Sequence, residues 1–157
     1  MQWPVLIAFK LNWLSAFFWG DHAQPILVAG LLLLIILQVR NYRWRILIPC
    51  SMLAMLGILL DWSLVTLGVL DFAQPGLPLY MLLLWGSFAL LLPSLRIFPQ
   101  PFLALLVSIL GPLSYYLAST AQLFSFHSGV WQGLAILFPL WAVFAYLAHR
   151  LLENSDV

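Results

Sequence analysis

Apolar residues run along this chain in six blocks, parted by brief polar or Pro/Gly-containing stretches. The blocks cover about 3–20, 25–39, 46–70, 78–95, 101–121 and 131–149, each near the roughly 17 to 25 residues that cross a bilayer as helix. The pattern predicts an all-α, polytopic transmembrane helix bundle of six spans, in a single domain over residues 1–157. Its connectors, Asp21–Gln24, Arg40–Arg45, Asp71–Leu77, Arg96–Gln100, Gln122–Val130 and the tail Arg150–Val157, are short. Any activity is therefore expected among the helices or at their ends.

Composition removes the alternative of a soluble globule. The 157 residues are 64% hydrophobic and 7% charged, with a mean hydropathy of +1.05. Six Lys/Arg and five Asp/Glu cannot cover a soluble domain of this size. The net charge of +1, without a basic patch, excludes nucleic acid as a partner. Lone Cys50 excludes an internal disulfide and a thiol-rich metal site, and reads as a small buried apolar residue.

Charge position is more telling than charge number. With the N-terminus inside, Arg40, Arg43, Arg45, Arg96 and Arg150 all fall on the cytoplasmic side, as the positive-inside rule demands. Both termini are then cytoplasmic. Trp3, Trp19, Trp44 and Trp131 fall at the interfaces as an aromatic belt. The opening "MQWPVLIAFKLNW" lacks the marks of a cleaved signal peptide, so the first span is expected to stay as a helix. No internal repeat is visible, and Pro93, Pro112 and Pro139 interrupt only the last three spans.

Two ionisable residues, Lys10 and Asp61, lie inside spans, where charge is costly and functional by default. Counting 1.5 Å per residue from the outer ends puts them about 15 and about 14 Å deep. Asn12, Ser87, Ser114 and Tyr115 fall at about 11 to 12 Å, with Trp13, Trp62 and Trp85 in the same layer. Such convergence describes an apolar-walled cavity with a few placed polar groups. Lys10 and Asp61 either form a structural ion pair, the favoured reading, or Lys10 snorkels to the cytoplasm, or the pair meets a ligand or a proton.

Residues two apart on a helix point about 200° apart, so Lys10 and Asn12 cannot share a face. Lys10 goes with Leu6, Ile7, Trp13, Leu14 and Phe17; Asn12 goes with Ala8, Ser15 and Ala16, a small-residue face suited to interhelical hydrogen bonding. In the third span Cys50, Ala54, Gly57, Asp61 and Gly68 form an inward stripe, and Ser63 is a helix hydroxyl bonded to its own backbone. Gly111 and Pro112 predict a kink whose freed carbonyls either bind a ligand or, the favoured reading, are met by Ser108, Ser114 and neighbouring helices. His22, His127, Asp21 and Asp71 have no metal-ligand spacing, so neither a metal nor a cofactor is expected. Phosphate-loop, nucleophile-elbow and zinc-protease motifs are absent.

In order and spacing, "FKLNW", "GILLDWSL", "LLLWGSFA" followed by "SLR", and "GPLSYYLA" resemble the domain-of-unknown-function 2878 family of small bacterial integral-membrane proteins. The likeness runs from about Phe9 to Ala118. It implies a bacterial inner (plasma) membrane location, no established activity and, through neighbouring lipid-modification genes, a lipid partner. It matches Lys10 to a commonly polar position and Asp61 to a membrane aspartate. The fourth span departs from the family, reading "LLLPS" where Thr, Asn and His are expected after Phe-Ala. The Trp-x-Pro-Pro signature of the translocator-protein family is absent.

The favoured function is a binding or accessory protein for membrane lipid or lipid modification, rather than an enzyme. The alternatives are a membrane-embedded lipid-modifying enzyme using Asp61 as base, a small proton-coupled transporter, and a structural subunit for a membrane protein partner such as a lipid-modification enzyme.

Overall fold

The computed structural model describes residues 2–153, so the end of the expected polar tail, 154–157, lies outside the described residues. Each apolar block forms a helix: α1 (Trp3–Trp19), α2 (Gln24–Tyr42), α3 (Leu47–Thr66), α4 (Leu79–Leu91), α5 (Gln100–Thr120) and α6 (Val130–Glu153). Four helical stretches, Trp3–Tyr42, Trp44–Thr66, Gln100–Thr120 and Val130–Glu153, are long and apolar enough to cross a membrane, and Leu79–Leu95 is a shorter apolar helix. Large apolar side chains such as Phe18, Ile36, Leu59 and Leu105 stand exposed around the outside, which no water-soluble surface of this extent would tolerate. These features mark a membrane protein.

Trp3–Tyr42 is a single helical stretch because only a 3-10 turn, Gly20–Ala23, joins α1 to α2. Gly20 takes φ +50, a conformation that a side chain would oppose, and the chain reverses there. α1 and α2 then run antiparallel: Asn12 reaches the Leu27 carbonyl, and Asn41 donates to the Gln2 side chain.

Several boundaries differ from the sequence expectation. α2 continues to Tyr42, because Asn41 and Tyr42 find partners in Gln2 and the Pro93 carbonyl and remain helical. α3 stops at Thr66 rather than at residue 70. Gly68, at φ +70, ends it: its N–H bonds to Val65 O and that of Val69 to Leu64 O, the paired bonds of a Schellman cap. Gly68 is therefore an exposed cap and leaves the inward stripe that Cys50, Gly57 and Asp61 do form. Beyond Leu91 the fourth span tightens into 3-10 geometry around Pro93.

A small β-ladder, unanticipated in an all-helical chain, joins β1 (Leu70–Asp71) to β2 (Ser125–Phe126) in antiparallel register, Leu70 opposite Phe126. It fastens the α3–α4 connector to the α5–α6 connector. Gly20 lies beside Leu123, so the α1–α2 turn reaches the same end of the bundle. At the opposite end, Gln38 donates to the Leu90 carbonyl and to Ser94 Oγ (2.9 Å), and Ser94 donates to Gln2 (2.8 Å).

α4 packs against α1, α2 and α3, while α5 and α6 pair most extensively with each other. Close approaches use glycine. A Cβ on Gly30 would lie 1.9 Å from Asn12 Oδ1, and one on Gly57 would lie 2.1 Å from the Trp85 ring. At Gly86 the nearest atom would be a flexible Leu31 methyl at 3.2 Å. Gly30→Ala and Gly57→Ala should each destabilise the bundle by about 1–3 kcal/mol, with Gly86→Ala costing clearly less, in thermal unfolding followed by circular dichroism in detergent. Equal losses at all three positions would refute this account of the contacts.

Candidate functional site

The sequence places Asp61 at the fifteenth position of α3, on the stripe carrying Cys50 and Gly57, and this face turns into the bundle. Asp61 is 0% exposed. Trp85 of α4 donates its indole N–H to Asp61 Oδ2 at 2.6 Å, and the Tyr115 hydroxyl of α5 donates to Oδ1 at 2.5 Å. Both carboxyl oxygens are thus occupied by donors from two other helices. The small Gly57, one turn earlier, leaves room for the Trp85 ring. Behind it, Trp85 stacks on Trp141 of α6, with ring centroids 5.3 Å apart and planes 17° apart. Gly111, beside Pro112 in α5, admits the Trp141 ring in the same way.

The expected Lys10–Asp61 ion pair does not form. Lys10 is exposed and, among the described residues, has no acidic partner within ion-pair distance. Equal depth set the two residues level, but α1 and α3 are separated by α4, which packs against both. Asp61 meets neutral donors instead, and Lys10 keeps the face shared with Leu6, Trp13, Leu14 and Phe17.

Asn12 occupies the face assigned to it, buried with Ala8, Ser15 and Ala16. It donates to Ser87 Oγ at 2.9 Å and, more weakly, to Leu27 O at 3.4 Å. Ser87 in turn donates to Leu83 O at 2.9 Å. The buried hydrogen bonds of the expected layer fall into two junctions: Asn12–Ser87 binds α1 and α2 to α4, and Asp61–Trp85–Tyr115 binds α3, α4 and α5. Ser63 bonds to Leu59 O and Ser114 to Gly111 O, as helix hydroxyls do.

A cavity of about 490 Å³ lies between α1 and α5, floored by α4 and α6. Of the residues placed in that layer, Lys10, Trp13, Trp85, Ser114 and Tyr115 line it, together with Phe88 and Trp141. Trp62 does not: it is 53% exposed on the outer side of α3, one position past Asp61 and so turned from the bundle. Because α1 and α5 share the cavity without packing closely on each other, it is a groove that opens sideways. Tyr115 and Trp85 form part of its wall, which puts Asp61 behind the lining.

Two features escaped the sequence reading. Gln38, which follows "LLLLIIL" inside the second span and was not among the expected site residues, is buried and organises the Ser94–Gln2 network. Its signal was an uncharged amide at the end of an apolar run, where a free helix end would more often carry charge. Trp141 carried no signal beyond its size. Among the described residues, no three His, Cys, Asp or Glu side chains gather to hold a metal ion.

The profile of a family described as protein of unknown function (DUF2878) matches residues 2–147, and the chain belongs to that family. No curated protein and no solved structure matches it.

Removing one donor from Asp61 leaves a buried polar oxygen unpaired. Tyr115→Phe should cost about 1–3 kcal/mol and Asp61→Ala more, because the latter strands both the indole N–H and the phenol. In a double-mutant cycle, Asp61→Ala and Tyr115→Phe should be strongly non-additive. Additive losses in detergent unfolding would separate the two side chains energetically.

Proposed function

We propose that this member of the DUF2878 family is a six-span protein of the bacterial inner membrane, with both termini cytoplasmic, that binds a membrane lipid or serves as accessory to a lipid-modifying partner. The α1–α5 groove carries this reading. It is long, walled by apolar and aromatic side chains, and open to where acyl chains would lie, as expected for a site that takes hydrocarbon from the bilayer.

The six-span arrangement is supported by the α1–α2 hairpin, whose two helices of 17 and 19 residues are each near bilayer length. α4 and its 3-10 extension together run from Leu79 to Leu95. The orientation is supported by charge: Arg40, Arg43, Arg45 and Arg96 belong to the end that holds Gln2, whereas Asp21 and Asp71 belong to the end fastened by the β-ladder.

An enzyme built on Asp61 fits less well, since both oxygens accept hydrogen bonds and the side chain has no exposed surface from which to take a substrate proton. The same enclosure weighs against Asp61 as the titrating group of a transporter. Its place is in holding the groove wall.

Ala118 lines the groove, and Ala118→Phe should fill part of it. Lipid co-purifying with the folded variant, measured by mass spectrometry of solvent extracts, should fall about fivefold or more relative to wild type as contact area is lost. Unchanged lipid occupancy would remove the groove from the mechanism. For topology, single cysteines at Arg43 and Gln74 in a Cys50→Ala background should react with an impermeant maleimide from opposite sides of intact inner-membrane vesicles. Labelling of both from one side would overturn the six-span arrangement.

A further inference from the structure

Lys10 stands in the middle of the groove-facing stripe of α1. Leu6, one turn before it, and Trp13, Leu14 and Phe17, one and two turns after it, all line the cavity, whereas Ile7, Leu11 and Phe18 are exposed and lie off it. Among the described residues Lys10 is the one charged group in the lining, and no Asp or Glu joins it there. It has no ion-pair or hydrogen-bond partner among those residues either, since Asp61 is enclosed behind Trp85 and Tyr115. Lys10 lies about 10 Å along α1 from Trp3, and its stem, leaning toward the helix N-terminus, covers only part of that distance. The ammonium therefore ends inside an apolar groove, where an unpaired cation is costly. Its counter-charge has to come from whatever occupies the groove.

The surroundings of Lys10 limit the size of that head group. Tyr80, Ser114 and Tyr115, the hydroxyls of the lining, all stand nearer the ladder end along their helices than Lys10 does, and Ser114 and Tyr115 are already engaged. Toward the Gln2 end the lining is Leu6, Leu91, Leu95 and Leu106, which offer no donor to ester or glycerol oxygens. A bare anion joined directly to hydrocarbon matches this wall, and a glycerophosphate head does not. From Lys10 to Trp19 the groove-facing side of α1 continues for about 14 Å, with Trp13 and Phe17 stacked along it, which leaves room for a long chain.

We propose that the groove binds a long-chain fatty acid, its carboxylate on the Lys10 ammonium and its chain running between α1 and α5 toward the ladder end. This inference rests on the reading of the groove as a lipid site and names the class of lipid.

The test uses the full chain, purified in dodecyl maltoside and stripped of co-purifying lipid, titrated separately with palmitic acid, methyl palmitate and phosphatidylglycerol, with occupancy read by native mass spectrometry. Wild type should take up one palmitate per chain saturably and bind the methyl ester about tenfold or more weakly, the loss of one charge-assisted hydrogen bond. Lys10→Met should weaken palmitate by the same factor and leave methyl palmitate unchanged, and Lys10→Arg should restore palmitate. The comparison of acid with ester needs no variant, so it decides the matter even where Lys10→Met fails to fold. Equal affinity for acid and ester, or undiminished palmitate binding by Lys10→Met, overturns the fatty-acid assignment. Preference for phosphatidylglycerol over palmitate overturns it too, but in each of these cases the lipid-binding function stands; binding of none of the three overturns both.

Discussion

A carboxyl group removed from water must find donors within the protein, and in this chain that requirement organises the helix packing. Asp61 draws one donor from α4 and one from α5, and the α4 donor is itself stacked on α6. Four of the six helices are thereby referred to one side chain. The glycines follow from the same need: without Gly57 the Trp85 ring could not lie against α3, and without Gly111 the Trp141 ring could not lie against α5. Neutral donors suffice because each is fixed by packing, whereas a lysine partner would have brought a second charge into the same low-dielectric layer.

The class of protein and the positions of its helices were legible because lipid imposes a length and a polarity on every span. The face of Asn12 was also legible, because helical spacing alone separates it from Lys10. The partner of Asp61 was not. Depth along a helix can be counted from sequence, but which helix stands beside which cannot, and α4 lies between the two residues that counting had placed level. The same gap misplaced Trp62, since depth groups it with Trp85 while azimuth sends the one outward and the other inward. The β-ladder gave no signal, because two-residue strands have no periodicity to read.

The polar bonds divide the bundle into two regions of different character. On one side, Asn12–Ser87 and Gln38–Ser94–Gln2 tie α1 and α2 to α4 along much of their length. On the other, α5 and α6 form their own close pair, joined to the rest through Tyr115, the stacked indoles and the ladder. The groove lies along the seam between these regions, where α1 and α5 face each other without a polar bond among the described residues. Its aromatic floor comes from the junction that closes over Asp61, so the same side chains shape the cavity and hold the bundle together.

The order of the chain gives the Asp61 junction a consequence for biogenesis. Its two donors lie 24 and 54 residues downstream of the carboxyl. Synthesis proceeds from the N-terminus, so α3 emerges from the ribosome before either partner exists. A lone carboxyl is a poor candidate for release into hydrocarbon. α3 is therefore expected to linger at the insertion machinery until α4 and then α5 arrive, making its departure into the bilayer a step that waits on translation.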